Sequence, residues 1–304
     1  MPRTFIIGTR DSKLATWQAR WVERRLAGNG HKTALKYIKT EGDLVLDTPL
    51  PVMGGKGVFT KALDEALLDD KIDLAVHSFK DIPTRLPRGL KIAAIAKRED
   101  HRDVLVSRKG ITFLDDPAYQ AVIASSSNRR MSQWLHRYPN HTLTDIRGNV
   151  QTRLRKLEES TWDGAIFAAA GLIRLDLLGR ADRYLDWMIP APAQGAMAVM
   201  TRENDMVTRQ ALAPVHHEET ALCTSIERDY LNELEGGCSA PIAALARVVG
   251  GKVHLKTCIL NPGGTGRIDV ELTATMDAAG QLGRQAAFKA IEQGAGEIVA
   301  RLRE

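Results

Sequence analysis

The apolar pattern of the first hundred residues predicts strands and helices in alternation. A first strand covers Phe5 to Gly8, and the helix after it has Leu14, Trp17, Trp21 and Val22 at helical spacing. The elements predicted next are a helix with Phe59, Leu63, Ala66 and Leu67 on one face, a strand over 73–77 and a strand over 91–96. Alternation of this kind is typical of α/β folds built on parallel sheets.

The alternation of strands and helices repeats after residue 100. A charged run over 97–103 interrupts the apolar positions and predicts a crossing from one lobe to a second. Strands over 104–106, 121–125 and 165–170, with a helix over about 149–158, then predict a second α/β lobe. The segment Pro190 to Gly195 breaks regular structure, and the apolar strand over 196–200 is expected to return to the first lobe. Because the chain crosses between the two lobes twice, a hinge is predicted at these crossings.

The last third of the chain predicts a small α+β domain. A helix over about 218–234 is followed by two β-rich segments, over 253–260 and 268–275, and by a closing helix over about 282–302. The predicted domains are therefore a discontinuous first α/β lobe (1–99 and 195–216), a second α/β lobe (100–194) and a carboxyl-terminal α+β domain (217–304).

Composition narrows the class of protein. The chain has 304 residues, more than one ordinary domain needs, and its 44% hydrophobic and 26% charged residues are typical of a folded, soluble protein. Because no run of about 18 apolar residues occurs and the amino terminus lacks the apolar stretch of a secretory signal, we expect no membrane partner and a cytoplasmic location. The net charge of +5 alone fits nucleic acid, a membrane surface or a small polyanion.

The three cysteines predict neither a disulfide framework nor a metal site, since their number is odd and their spacing lacks C-x-x-C. Cys223 falls in a predicted helix and Cys258 in a predicted strand, where a packing role is expected. Cys238 falls on a tight, glycine-rich turn, where a thiol is accessible as a nucleophile. The sequence alone leaves Cys238 evenly balanced between a reactive thiol and an ordinary loop residue.

Charged and hydroxyl side chains follow the predicted strand over 73–77. Ser78, Lys80 and Asp81 stand at its carboxyl end, where open α/β sheets bind ligands. An ionised aspartate at such a position can stabilise a cation that develops in a transition state. The spacing alone favours a solvated ion pair on a loop over this chemical role.

Arginines recur at strand ends and helix starts in both predicted lobes. Arg129 and Arg130 open a helix after three serines, where helix N–H groups and guanidinium forks favour an anion. Because adjacent helix residues diverge by about 100°, both should reach one ligand only if it is large or branched. One surface ion pair and one solvated arginine are the alternative. The other arginines placed in this way are Arg10, Arg147, Arg153 and Arg174. Together they predict a cleft for several carboxylates.

The glycine-rich segment Gly54 to Leu63 contains Lys56 but lacks the spacing of a phosphate-binding loop. A flexible flap before a helix explains the same residues. Asp43 is interpreted as a turn residue, although a partner-orienting role stays open.

Taken in order, these segments resemble the porphobilinogen deaminase (hydroxymethylbilane synthase) family. The resemblance covers the chain from about Arg3 into the carboxyl-terminal domain and rests on GTRDSKLA, GGKGVFTK, AVHSFKDIP, SSSNRR, IRGNVQTRL, AAAGLIRL, PAPAQGAMA, HHEET and LEGGC. Lys13 stands where the family often has proline, and Ser125 and Asn128 replace commoner threonine and leucine. The resemblance implies three domains, of which the first two are similar to the lobes of type II periplasmic binding proteins.

The resemblance implies a transferase of tetrapyrrole, hence haem-type, biosynthesis. Four porphobilinogen molecules would be joined head to tail, with loss of ammonia, into hydroxymethylbilane. The reaction would take place on a dipyrromethane cofactor bound through a thioether to Cys238. Asp81 would be the catalytic residue, because its carboxylate would stabilise the azafulvene cation left by ammonia loss. A monomer without a nucleic-acid partner is expected.

The resemblance also implies which residues hold each group. Besides Cys238, the cofactor would be held by Ser78, Lys80, Asp81, Ser125, Ser127, Arg129, Arg130, Arg147 and Gly171. The substrate would be held by Arg10, Ser12, Gln18, Arg147, Arg153, Arg174 and Gln194. Lys56 and Phe59 would lie on a mobile loop, and Gln194 would take part in hinge motion at the second crossing.

Three other classes of protein stay open at this point. A bilobal binding module could capture an organic anion without reaction, although Cys238 in a third domain argues against it. A nucleic-acid-binding protein would need cations interleaved with aromatics, but aromatics are only 5% and the arginines lie at separate element ends. A cysteine hydrolase would need a histidine spacing that the sequence does not have.

Overall fold

The computed structural model describes residues 3–40, 60–234 and 240–301 of the chain. Its strands are β1 (Thr4–Thr9), β2 (Lys32–Tyr37), β3 (Leu74–Ser78), β4 (Leu90–Ile95), β5 (Asp103–Ser107), β6 (Val122–Ala124), β7 (Thr142–Thr144), β8 (Gly164–Ala168), β9 (Arg183–Tyr184), β10 (Met197–Arg202), β11 (Ile242–Val249), β12 (Lys252–Ile259) and β13 (Ile268–Thr275). Its helices are α1 (Lys13–Gly28), α2 (Lys61–Leu68), α3 (Asn128–Arg137), α4 (Val150–Glu159), α5 (Ala169–Arg174), α6 (Met206–Ala211), α7 (Glu218–Glu233), α8 (Leu282–Glu292) and α9 (Ala295–Arg301).

The first sheet has five strands in the order β2-β1-β3-β10-β4. Strands β1, β2 and β3 are parallel, whereas β10 runs antiparallel to both of its neighbours. Strand β3 is buried from Leu74 to His77, as expected for a central strand covered on both faces. The helix α1 packs against β1 and β3, so that its amino terminus lies near their carboxyl ends.

Helix α1 turns a different face to the sheet from the one predicted. Its buried positions include Ala15, Ala19 and Leu26, whereas Trp17 and Trp21 are only half-buried. Alanines at the contact let the helix backbone approach the strands, and the large indole rings then cover the margin of the core. The predicted stripe, which was centred on the tryptophans, is therefore only partly right.

The second sheet repeats the arrangement of the first. Its order is β7-β6-β8-β5-β9, with β6 parallel to β7 and β8, and with β5 antiparallel to β8 and β9. In each sheet the antiparallel strand, β10 or β5, is the first strand after a chain crossing. Two α/β lobes of one topology confirm the predicted fold class. The strands β2, β7 and β9, which are edge strands, were not predicted from the sequence.

The carboxyl-terminal segment forms an antiparallel sheet, β11-β12-β13, covered by helices. The prediction of two β-rich segments was incomplete, because β11 also belongs to this sheet. The predicted closing helix is two helices, and the break between them contains Gly294 with a φ of +100°. A Cβ added at Gly283 would lie 2.1 Å from the Ile226 carbonyl oxygen, so glycine permits the close packing of α8 on α7.

The chain divides into two compact units, Met1–Glu99 with Gly195–Ala221 and Asp100–Gln194 with Leu222–Glu304. The division places the two crossings at residues 99–100 and 194–195. The three domain boundaries given by the sequence stay a prediction. Among the described residues, no helix combines the length and the apolarity that crossing a bilayer requires.

Candidate active site

A pocket of about 70 Å³ lies in the first unit, where β1 and β3 end and α1 begins. Its lining residues are Arg10, Ser12, Leu14, Ala15, Gln18, Thr60, Val76, His77, Ser78 and Asp81. The carboxyl end of a parallel sheet is the expected place for a ligand in such a fold. The pocket brings together five of the residues that the sequence analysis assigned to cofactor or substrate.

Helix α1 contributes its amino terminus and one buried amide to this pocket. The Ser12 hydroxyl accepts a hydrogen bond of 3.2 Å from the Ala15 amide, so the predicted cap is formed. Gln18 is buried, and its Nε2 donates to Ser78 Oγ at 2.9 Å. The helix thereby fixes the hydroxyl at the end of β3.

Asp81 lies at the end of a short 3-10 turn, Phe79–Asp81, directly after β3. Phe79 and Ile82 are buried on either side of the exposed Asp81 side chain. The Phe79 amide donates to the Ala196 carbonyl at 3.0 Å, and the Ile82 amide donates to the Phe79 carbonyl at 3.2 Å. The turn is therefore held by its neighbours while the Asp81 carboxylate stays accessible in the pocket. Lys80 is half-buried in the same turn.

His77 is a pocket residue that the sequence analysis missed. Its side chain is buried, and burial, together with the charge of Arg10, lowers the pKa of the imidazole to about 4. The imidazole is therefore neutral near pH 7. Among the described residues, its Nε2 has no hydrogen-bond partner. A signal was available, because His77 interrupts an otherwise apolar buried strand.

Arg129 and Arg130 in the second unit both bind the carboxylate of Asp103. The expectation that only a large or branched group could engage both arginines is therefore wrong. Arg129 Nη1 lies 2.7 Å from Asp103 Oδ2, and Arg130 Nη2 lies 2.8 Å from Asp103 Oδ1. Two long side chains that leave the helix in different directions approach the two oxygens of one carboxylate. Since both arginines are buried, the alternative of one surface pair and one solvated arginine is also wrong.

Three serines precede these arginines. Ser125 is buried, and its Oγ accepts a hydrogen bond of 3.2 Å from the Ser127 amide. The Ser126 hydroxyl donates to the Ile146 carbonyl at 2.8 Å and accepts from the Ile146 amide at 3.0 Å. Ser127 is the cap residue of α3, but its side chain makes no capping hydrogen bond. The serines therefore order the turn between β6 and α3.

The predicted turn between Arg147 and Arg153 is formed. Gly148 has a φ of +113°, and Asn149 Oδ1 caps α4 by accepting from the Thr152 amide at 2.9 Å. Arg153 Nε donates to the Gly148 carbonyl at 2.7 Å. Within the described part of the chain, the buried Nη1 of Arg147 has no hydrogen-bond partner. This donor is available to an anion.

Two further predicted residues are buried in the second unit. Arg174 is buried and is the last residue of α5, the helix that directly follows β8, so it stands at a helix end rather than at a helix start. Gly171 lies on the same helix. Gln194 is buried at the second crossing, where its Nε2 donates to the His101 carbonyl at 2.8 Å and to Asp103 Oδ1 at 3.0 Å.

The two cysteines that the structure describes lie where the sequence predicted them. Cys223 in α7 and Cys258 in β12 are buried, which confirms their packing positions. Burial raises the pKa of the Cys258 thiol to about 12, so this thiol is protonated near pH 7. The anchor assigned to Cys238 lies outside the described residues, as do Asp43, Lys56 and Phe59.

Comparison with known proteins identifies the family. The family model "Porphobilinogen deaminase, dipyromethane cofactor binding domain" matches residues 5–210, and "Porphobilinogen deaminase, C-terminal domain" matches residues 221–292. The chain belongs to the porphobilinogen deaminase family. A family member from Syntrophotalea carbinolica is 44% identical over 300 residues, which cover 97% of this chain and 95% of that protein. A second member, from Chloroherpeton thalassium, is 41% identical over 311 residues, which cover 100% and 99%.

Solved structures of periplasmic proteins are similar to part of the chain. An ABC transporter periplasmic substrate-binding protein from Coxiella burnetii has a TM-score of 0.43 at 17% identity, covering 71% of this chain and 94% of that one. A VFT2 domain of BvgS from Bordetella pertussis has a TM-score of 0.42 at 12% identity, covering 70% and 86%.

The residues present fit the dipyrromethane cofactor of this family. Dipyrromethane consists of two linked pyrroles that carry acetate and propionate groups, so its site must supply donors for carboxylates. Within the described residues, Arg129 Nε and Arg147 Nη1 are buried donors without a partner. Guanidinium donors are suited to carboxylates and stay charged at all physiological pH values. The cofactor-binding domain of the family, residues 5–210, contains both arginines.

Proposed function

We propose that this chain is a porphobilinogen deaminase, which condenses four porphobilinogen molecules and one water into hydroxymethylbilane and four molecules of ammonia. The observation that carries the proposal is that Asp81, Arg10, Ser12 and Gln18 line one pocket at the carboxyl end of a sheet. The chain matches the family over almost its whole length, which supports the same reading.

Asp81 is the proposed catalytic residue. When porphobilinogen loses ammonia from its protonated aminomethyl group, the C–N bond breaks and the electron pair leaves with the nitrogen. The methylene and the pyrrole ring are left as an azafulvene cation. An exposed carboxylate, held on the turn after β3, supplies a fixed negative charge that stabilises the positive charge as it moves from the ammonium nitrogen onto the methylene and the pyrrole ring.

The arginines are proposed to bind the acidic side chains of the pyrroles. Each substrate unit brings an acetate and a propionate, so negative charge accumulates as the product grows. In the first unit, Arg10 and the amino terminus of α1 border the pocket. In the second unit, Arg147, Arg153 and Arg174 are the proposed substrate-binding arginines, and Gln194 is proposed to assist them. Several fixed cations are needed because one arginine can neutralise only one carboxylate.

The cofactor is proposed to be held by Ser78, Lys80, Asp81, Ser125, Ser127, Arg129, Arg130, Arg147 and Gly171. When bound, dipyrromethane supplies the nucleophilic pyrrole carbon that accepts the first substrate unit. We assign its covalent anchor to Cys238, since Cys223 and Cys258 are buried and the raised pKa of Cys258 disfavours a thiolate.

The proposal is tested by intact-protein mass spectrometry together with turnover. The purified protein is expected to weigh more than the 33.5 kDa of its sequence by two pyrrole units, and to give the colour reaction of dipyrromethanes. Added porphobilinogen should be consumed with one ammonia released per molecule. An active protein of unmodified mass would overturn the cofactor assignment. Binding of porphobilinogen without release of ammonia would instead favour a binding module.

We further propose that the enzyme acts as a monomer in the cytoplasm, without a nucleic-acid partner. Two arginines of the second unit are occupied by Asp103 rather than displayed as a basic surface, which supports this view. Light scattering should give a mass near 33.5 kDa. Salt-dependent binding to DNA or RNA would contradict the absence of a nucleic-acid partner.

A further inference from the structure

Asp103, the first residue of β5, gathers two cations and one amide around a single carboxylate. The side chain is completely buried. Its Oδ2 accepts from Arg129 Nη1 at 2.7 Å, and its Oδ1 accepts from Arg130 Nε at 3.0 Å and Nη2 at 2.8 Å. Oδ1 also accepts from Gln194 Nε2 at 3.0 Å. No sequence motif singled out Asp103, which falls in the charged run at the first crossing.

The partners of Asp103 are themselves tied to the backbone of the second unit. Arg129 Nη1 also donates to the Ile189 carbonyl at 2.9 Å, and Arg130 Nη1 donates to the Ile166 carbonyl at 2.8 Å. Gln194 Nε2 also donates to the His101 carbonyl at 2.8 Å. One carboxylate thus links the beginning and the end of the segment 100–194 with helix α3. The orientation of both guanidinium groups depends on this network.

Among the described residues, the ion pairs of this network join two positive groups, Arg129 and Arg130, to the one negative group of Asp103. Among the described residues, neither Arg129 nor Arg130 pairs with a carboxylate other than Asp103. Burial lowers the pKa of Arg130, Asp103 opposes this effect, and the neighbouring charge of Arg129 adds to it. Arg129 is about 4% exposed, and its Nε is buried without a partner in the described chain. A buried surplus charge is unfavourable unless an anion balances it.

We propose that Asp103 is a positioning residue for the acidic cofactor, because it fixes Arg129 and Arg130 in one arrangement and leaves a single surplus positive charge for a cofactor carboxylate. The inference rests on the proposed function and extends it to a residue that does not itself touch the cofactor. Asp103 acts through the two arginines, and Gln194 couples the second crossing to the same carboxylate. The residue therefore contributes to cofactor retention as well as to folding.

The test compares Asp103→Asn and Asp103→Glu with the unaltered protein. The first change keeps the shape and removes the charge, whereas the second keeps the charge and moves it by one methylene group. The matched control is Asp163→Asn in the same unit, since Asp163 accepts from the Val122 amide at 2.8 Å and from the Tyr119 hydroxyl at 2.9 Å. The readouts are the fraction of chain that carries the cofactor mass and the urea midpoint of unfolding.

We expect the loaded fraction to fall at least about tenfold in Asp103→Glu and in Asp103→Asn, and to stay within about twofold of the unaltered protein in Asp163→Asn. A folded Asp103 variant that loads as well as the control at a similar urea midpoint would overturn the inference. If Asp103→Asn does not fold, because two guanidinium groups are left unpaired, Asp103→Glu decides alone. An unaltered protein without cofactor mass and without turnover would instead contradict the proposed function.

Discussion

Gln18 donates a hydrogen bond of 2.9 Å to the hydroxyl of Ser78. This bond joins the second turn of α1 to the carboxyl end of β3, three residues before Asp81. Both partners line the same pocket, and Gln18 is about 2% exposed. An apolar residue of similar size would pack at this place without needing a hydrogen-bond partner. We therefore infer that the buried amide of Gln18 is there to position Ser78 in the pocket rather than to stabilise the core.

Replacing Gln18 with Leu should therefore affect the reaction more than the stability. The change removes the donor to Ser78, and the loss of one buried hydrogen bond costs about 1 kcal/mol. We expect kcat/KM for porphobilinogen to fall about tenfold, a loss of about 1.4 kcal/mol of transition-state stabilisation. Steady-state kinetics and urea unfolding measure the two effects. Gln285→Leu, at an exposed position of α8, is the control and should leave kcat/KM unchanged.

Replacing Asp81 with Ala should remove turnover and leave the fold intact. The side chain is exposed on its turn, so its loss opens no cavity, but the carboxylate is the proposed stabiliser of the azafulvene cation. We expect less than about one hundredth of the activity to remain. Ammonia release measures turnover, and circular dichroism measures folding. Asp69→Ala, at another exposed aspartate of the first unit, should keep full activity. More than about a tenth of the activity in Asp81→Ala would contradict the assigned role.

Replacing Cys238 with Ser should give a protein without covalent pyrrole. A hydroxyl is a far weaker nucleophile than a thiolate, so the thioether cannot form. Intact-protein mass spectrometry should give the unmodified mass for this variant. The control is Cys223→Ala, in which a buried thiol of α7 is removed and the added mass should persist. A normal adduct in Cys238→Ser would place the anchor at another residue.

The elements that the sequence predicts best are those whose burial leaves an apolar run. The central strands β3 and β8 are buried over nearly their whole length, and the predicted ranges overlap them. The edge strand β2 alternates exposed and half-buried residues, among them Lys32, Lys36 and Tyr37, so its polarity gives no signal of a sheet. Its pairing with β1 supplies the information that periodicity lacks.

The residues of the site also differ in how well the sequence predicts them. Residues that follow a strand end, such as Ser78 and Asp81, could be predicted because parallel strands bring their carboxyl ends to one edge of the sheet. The environment of Arg129 and Arg130 could not, because their partner Asp103 is 26 and 27 residues away and lies in a run of charges that is typical of an exposed crossing. In the folded chain the Asp103 carboxylate is buried and binds both arginines, whereas a charge in an exposed crossing would be solvated. The sequence pattern does not show this burial, because burial is a property of the folded chain.

Replacing Gly148 with Ala should disturb the arginine-bearing turn before α4. The glycine has a φ of +113°, and an added Cβ would lie 2.7 Å from Thr152 Cγ2, so the backbone must shift at a cost of about 1–3 kcal/mol. Because Arg153 Nε donates to the Gly148 carbonyl, the KM for porphobilinogen should rise severalfold. Kinetics and thermal unfolding measure both effects. Gly179→Ala is the control, since nothing lies within 4 Å of its added Cβ. Equal effects of the two changes would contradict the proposed geometry.

Replacing His77 with Gln should make the protein less sensitive to mild acid. Burial lowers the pKa of this imidazole from 6.5 to about 4 in the folded chain, so between these pH values the unfolded chain takes up a proton that the folded chain does not. The free energy of unfolding of the unaltered protein should therefore decrease as the pH falls from 6.5 to 4, by an amount on the order of 3 kcal/mol from this group. Glutamine is neutral throughout, so the variant should lack this contribution. Urea unfolding at several pH values between 7 and 4 measures the difference, and parallel stability curves for the two proteins would show that His77 is protonated equally in both states.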